Sequence, residues 1–132
     1  MRATFRKHER LTGRDRLKRV ATTGHVMREH PFRLSGVVFP PDGPSPAPAQ
    51  VAFAVPKRHV PSAVDRNRVR RHMREAYRLN KHRWHGQLDR AQVRCDWLVS
   101  FHGDAPVGWE ATSRILINLF DRWIQRHVGT GR

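Results

Sequence analysis

The chain has 132 residues, 38% of them hydrophobic, and its 26 Lys and Arg against 11 Asp and Glu leave a net charge of +15. That length suits one modest core. No apolar run reaches the roughly 18 residues a membrane span needs, and the Arg-rich N-terminus is not followed by the apolar stretch of a secretory signal. A single cysteine excludes an internal disulfide and suits a reducing compartment. A chain this basic repels itself until something anionic neutralises it, and nucleic acid is the first candidate.

The charge is concentrated. Residues 1–28 hold +7 and residues 56–90 hold +8, whereas residues 29–55 hold −1 and residues 91–132 hold +1. Residues 1–9 read as a flexible basic tail. A first helix is expected from the capping-box-like pair Thr12 and Asp15 to Gly24, with Leu17, Val20 and Ala21 as its apolar stripe. Phe32–Phe39 reads as a strand. The stretch 40–49 holds five of the nine prolines and reads as a loop, because proline supplies no ladder donor. Val51–Val55 is a short apolar run of the buried-strand kind. A clearer strand places Val93, Cys95, Trp97, Val99 and Phe101 on one face, which makes Cys95 a core residue.

Between these strands a second helix follows Pro61, with Ser62 and Asp65 as its cap, and is expected to run to about Lys81. Val69, Met73, Ala76 and Tyr77 form its buried stripe. At 100° per residue Asn67, Arg70, Arg71, Arg74, Arg78 and Lys81 fall together in one cationic strip. Arg66 and Arg68 stand near the positive end of the helix dipole, where each costs about 0.3–1 kcal/mol unless an anion arrives. A bound polyanion reverses that cost, since free N–H groups and guanidinium forks then act on the same phosphates. A third helix runs from about Val107 to Arg126, with Leu116, Leu119, Phe120 and Trp123 on its core face. Trp97 and Trp123 read as core, and Trp84 as closing the end of the second helix.

The acids are scattered, with no paired-carboxylate motif, and His82 with His85 reads as a solvated helix end rather than a metal site. Catalytic residues and a protein metal site are therefore not expected. The residues leave open a ribosomal or other structured-RNA binder without turnover and an autonomous nuclease; a third reading, the accessory subunit of an RNA enzyme, comes only from the resemblance that follows.

Lys57-Arg58, then Ala63-Val64-Asp65-Arg66-Asn67-Arg68-Val69-Arg70-Arg71, then Arg74-Glu75-Ala76-Tyr77-Arg78, resembles the signature of the protein subunit of bacterial ribonuclease P. Arg10-Leu11, Phe32, the strand around Trp97 and the amphipathic last helix extend the resemblance over residues 10–126. It implies an α+β fold with a central sheet of about four strands and three helices, in the order α-β-β-β-α-β-α. It also implies a left-handed β-α-β crossover, against a right-handed rule obeyed in about 98% of cases.

The implied function is to assist a holoenzyme that removes the 5′ leader from precursor tRNA in the cytoplasm. In that family the catalytic centre and its Mg²⁺ belong to the RNA subunit, and one protein binds each RNA. Carried over by position, the expected RNA-binding residues are Lys57, Arg58, Arg66, Asn67, Arg68, Arg70, Arg71 and Arg74. Many family members carry aromatic residues at the positions matching Leu17 and Ala21, and a tyrosine near Ser35, which stack on leader bases. Here those positions are aliphatic or small, so the leader cleft is expected to lean on Arg14, Leu17, Lys18, Phe32 and Phe53.

Overall fold

The computed structural model describes residues 5–41 and 47–128. A short 3₁₀ turn at Lys7–Glu9 leads into α1 (Arg14–Thr23), β1 (His25–Glu29), β2 (Phe32–Phe39), β3 (Ala49–Ala54), α2 (Ala63–Ala91), β4 (Arg94–Phe101) and α3 (Trp109–His127). The strands form one sheet in the order β1-β2-β4-β3. β1 with β2 and β2 with β4 pair antiparallel, while β3 and β4 are parallel and joined through α2. This is the expected α+β order.

Strand alternation sorts the sheet into two faces. Phe32 and Leu34 of β2, Val51 of β3, and Cys95, Trp97, Val99 and Phe101 of β4 are buried in one apolar cluster with α2 and α3. The other face carries α1, held by Ser35 Oγ donating to the Val20 carbonyl at 2.6 Å and by the Arg16–Asp96 ion pair at 2.5 Å. Two large rings meet across Gly36: a Cβ there would lie 2.4 Å from Trp123 Cζ2 and 2.6 Å from Trp97 Cδ1. Both rings are fully buried in a close-packed core and have nowhere to retreat. Gly36→Ala is therefore expected to destabilise the fold by about 1–3 kcal/mol, read as a lower denaturation midpoint.

Several elements differ from their sequence readings. Thr12 does not cap α1; Gly13, at φ 95°, precedes it without a side-chain cap, and Ala21 is exposed. Ser62 does cap α2, accepting from Asp65 N at 3.3 Å. α2 does not stop at Lys81 but continues to Ala91, closed by Gln92 in the left-handed region at φ 58°. The extension is driven by burial: Tyr77, Lys81, Trp84 and Leu88 continue one inward stripe at helical spacing. Trp84 is thus a mid-helix core residue, stacked on Phe120 at 4.4 Å with its Nε1 donating to Asp121 Oδ1 at 2.8 Å. β1 has no clean alternation, because its two faces are both partly exposed.

Residues 5–9 are docked rather than a free tail. Phe5 packs edge-on against Phe53 and Tyr77, Glu9 is 4% exposed and pairs with the buried Lys81 at 2.5 Å, and Leu11 N donates to the Val51 carbonyl at 2.9 Å. The proline-rich loop is shorter than expected at its far end, since Ala47 is buried and β3 begins at Ala49. Arg94 donates to the carbonyls of both Pro41 and Ala47, tying the two sides of the loop. Residues 1–4 of the expected tail and 42–46 of the loop lie outside the described residues.

His85 is not a solvated helix-end residue. It is half-buried, and its Nε2 lies 2.7 Å from the Tyr77 hydroxyl. Burial, reinforced by the Lys81 charge and opposed by Glu9, lowers its pKa to about 4. The unfolded chain therefore takes up this proton near pH 6.5 while the native protein still excludes it, so stability falls as pH drops from about 6.5 towards 4. About 2 kcal/mol is expected to be lost between about pH 7 and pH 5 from this group. His85→Gln keeps an acceptor for Tyr77 and should remove that part of the loss, measured by urea titration of both proteins at the two pH values.

Candidate nucleic-acid interface

The positive strip is built on the outward side of α2. The buried positions Val69, Met73, Ala76 and Tyr77 anchor the helix, so the positions between them must face solvent. Asn67, Arg70, Arg71 and Arg74 then surround one open concavity of about 210 Å³. Asn67 Oδ1 accepts from Arg70 Nη1 at 3.1 Å and so orients that guanidinium. Partial burial, then the charges of Arg10 and Arg70, push the pKa of Arg74 down. Among the described residues Arg70, Arg71 and Arg74 have no acidic partner. Crowded, unpaired guanidinium groups around a recess are costly unless an anion with several oxygens fills it.

The remaining strip members separate. Arg78 pairs with Glu75, which lowers the Glu75 pKa and raises that of Arg78. Lys81 turns inward to Glu9 and is 5% exposed, so it leaves the expected strip. Arg66 is half-buried, its Nη1 donating to the carbonyls of Val60 at 3.1 Å and Pro61 at 2.7 Å; it braces the turn that enters α2. Arg68 is exposed but does not line the recess, and Lys57 and Arg58 are exposed on the turn after β3.

The expected leader cleft is not assembled from its five residues. Arg14 and Lys18 are exposed on α1, and Leu17 is half-buried. Phe32 is 2% exposed and packs edge-on against Phe101 at 5.5 Å. Phe53 pairs in register with Val99 and packs against Phe5 and Tyr77. Both rings thus sit on the face covered by α2 and α3, opposite α1. Strand parity explains the miss: one residue of register exchanges the two faces, and no helix contact is visible in sequence to say which face is which.

A second groove, of about 680 Å³, is lined by Lys7, His8, Arg10, Thr12 and Gln50 along the outer edge of β3. Arg10, which also lies over the Phe5 ring at 5.5 Å, brings this groove's charge towards Arg74. Periodicity could not find it, since it depends on the N-terminal segment bridging to Val51. Among the described residues no group of three or more His, Cys, Asp or Glu is gathered closely enough to hold a metal ion.

Fold and surface together define an α+β protein whose second helix presents Arg70, Arg71 and Arg74 without acidic partners among the described residues. A family model for ribonuclease P matches residues 5–100, and the chain belongs to the ribonuclease P protein family. It is 40% identical over 79 residues to the ribonuclease P protein component of Chlorobium phaeobacteroides, covering 59% of this chain and 54% of that one. It is 38% identical over 93 residues to that of Porphyromonas gingivalis, covering 69% and 66%. The matched stretch is thus less than two thirds of either relative. The fold is similar to that of the Staphylococcus aureus RNase P protein, with TM-score 0.67 and 16% identity over 87% of this chain and 94% of that one. A further structure of the Staphylococcus aureus protein gives TM-score 0.55 at 16% identity, over 96% and 94%.

Proposed function

We propose that this chain is the RNA-binding subunit of a ribonuclease P holoenzyme, which removes the 5′ leader from precursor tRNA in the cytoplasm. The observation that carries this reading is the gathering of Asn67, Arg70, Arg71 and Arg74 around one recess, with no acidic counter-charge among the described residues. In the proposal these residues grip phosphates of RNase P RNA, one protein per RNA, with Lys57, Arg58 and Arg68 adding charge at the rim. Arg66 holds the helix start in place and offers its remaining N–H groups to the same backbone.

Among the described residues the acids do not gather into a site for Mg²⁺. Glu9, Glu29, Glu75, Asp96 and Asp121 each face a cationic side chain instead of one another. The proposal therefore leaves Mg²⁺ and hydrolysis to the RNA. The chain contributes binding, partial neutralisation of closely packed phosphates, and placement of the leader on the α1 side, where Arg14 and Lys18 supply charge. Among the described residues no helix is long and apolar enough to cross a membrane.

Reconstitution tests the reading: the full chain, RNase P RNA and a precursor tRNA, combined at low Mg²⁺. Leader removal is expected to be faster with both macromolecules than with the RNA alone. Cleavage by the protein alone would make it an autonomous nuclease. Tight binding of the RNA with no stimulation would make it a structured-RNA binder of the ribosomal kind. Either result overturns the proposal.

A further inference from the structure

The segment from Phe5 to Leu11 is fastened to the fold at three places by different chemistry. The Phe5 ring packs edge-on against Phe53 and Tyr77, each at 5.9 Å. Glu9 enters the core to meet Lys81. Arg10 runs beside Val51 on the outer edge of β3, where Leu11 N donates to the Val51 carbonyl. Gln50, the preceding residue of that strand, adds a bond from its Nε2 to the His8 carbonyl at 2.7 Å.

This fastening sorts the charges of the segment. Glu9, its only acid, turns inward, while Lys7, His8 and Arg10 are exposed. Neither Lys7 nor Arg10 has an acidic partner among the described residues. With Thr12 and Gln50 they line the groove of about 680 Å³. An ammonium, a guanidinium and a hydroxyl are donors of the kind that phosphate oxygens accept from.

Arg10 links this groove to α2. Its guanidinium lies over the Phe5 ring at 5.5 Å, a cation–π contact that limits where a long, flexible side chain can point. Its charge lowers the Arg74 pKa at least as much as that of Arg70, one turn away on the same helix. Arg10 and Arg74 thus stand close together although they come from separate elements, and they repel until an anion lies between them. A phosphate shared by the two converts that repulsion into charge-assisted hydrogen bonds.

We propose that the segment Phe5–Leu11 positions Arg10 as a further RNA contact, so that the backbone held on α2 continues past Arg10 into the groove beside β3. Arg10 touches the RNA, and Phe5 is a positioning residue that acts through Arg10. Under the function proposed above, on which this part rests, the RNA is RNase P RNA, because the groove adjoins the strip assigned to it. The recess on α2 and the groove, joined at Arg10, form one track longer than either alone.

Binding of RNase P RNA by the full chain, without precursor tRNA and across a salt series, tests the contact. Arg10→Gln, at an exposed position, is expected to weaken binding about fivefold and to remove about 0.7–0.9 from the slope of log affinity against log salt. Phe5→Leu keeps every charge, yet should weaken binding about threefold, since the cation–π contact is lost. Phe5→Tyr keeps the ring and should restore the parent affinity. Phe5→Leu combined with Arg10→Gln should bind no more weakly than Arg10→Gln alone, which separates positioning from a general effect on the fold.

An unchanged slope in Arg10→Gln overturns the contact, as does an effect that appears only when precursor tRNA is added. Losses that multiply in the double variant overturn the positioning role of Phe5. An Arg10-dependent slope equal on RNase P RNA and on an unrelated folded RNA, without faster leader removal, supports the contact and overturns the function proposed above.

Discussion

Replacing Arg70, Arg71 and Arg74 together by glutamine is expected to weaken binding of RNase P RNA by about a hundredfold near physiological salt. Each guanidinium lost from a phosphate contact removes a charge-assisted hydrogen bond worth about 1 kcal/mol after exchange with water. Three such losses give about 3 kcal/mol, or slightly more than a hundredfold. The salt dependence carries the more specific signature. Each neutralised phosphate contributes about 0.7–0.9 to the slope of log affinity against log salt, so the variant should lose about two units of slope. The fold should survive. Arg71 and Arg74 are exposed, Arg70 is half-buried, and glutamine is a good helix former. Removing mutually repelling charges should hold or raise the melting temperature. Affinity measured across a salt series decides the matter: a parallel line with unchanged slope would place the RNA on another surface.

Lys81→Met is expected to destabilise the protein by about 3 kcal/mol, although methionine fits the aliphatic path of the lysine. The loss comes from Glu9, which is 4% exposed and receives Lys81 Nζ at 2.5 Å and Arg6 N at 3.0 Å. Burial pushes the Glu9 carboxyl up, but the Lys81 hydrogen bond, the Arg6 N–H and neighbouring positive charge outweigh it and hold the carboxyl below its usual range. Without Lys81 a buried carboxylate loses its main counter-charge, the situation in which removing one partner costs about 3–5 kcal/mol. Removing both charges is a different matter, because a well-packed apolar pair of similar volume is often neutral or better. Glu9→Leu with Lys81→Met should therefore recover most of the stability. Urea denaturation of the parent, both single variants and the double variant measures the coupling directly. A loss in the double variant equal to the sum of the two single losses would show that the two charges are uncoupled. Since Glu9 anchors the segment from Phe5 to Leu11, the single variant should also loosen the groove beside Arg10.

These two predictions sit on opposite sides of what could be read from the chain. Arg70, Arg71 and Arg74 were legible because a helix converts spacing into direction: with Val69, Met73 and Ala76 inward, their intervening neighbours must face out. Ser62 as the cap of α2 and Phe32–Phe39 as a strand were legible for similarly local reasons. Lys81 obeyed the same wheel and still turned inward, because its fate depended on Glu9, far away in sequence, and no periodicity encodes such a partner. The end of α2 was misplaced because His82, Arg83 and His85 look like a polar terminus, while Trp84 and Leu88 carry the buried stripe onward. Phe32 and Phe53 failed as cleft residues because alternation names two faces but does not say which of them a helix covers.

Local sequence, then, settled the cationic face of α2 on which the proposed RNA contact rests. The +15 charge and the arginine spacing on α2 are properties of composition and local geometry, and these survive any detail of packing. The tertiary structure alone decided which cations stay free. It withdrew Lys81 into the core and set Arg66 to brace the turn that enters α2. The physical reason is that an ion pair or a charged cluster is settled by distances across the fold, and these follow from strand order and register.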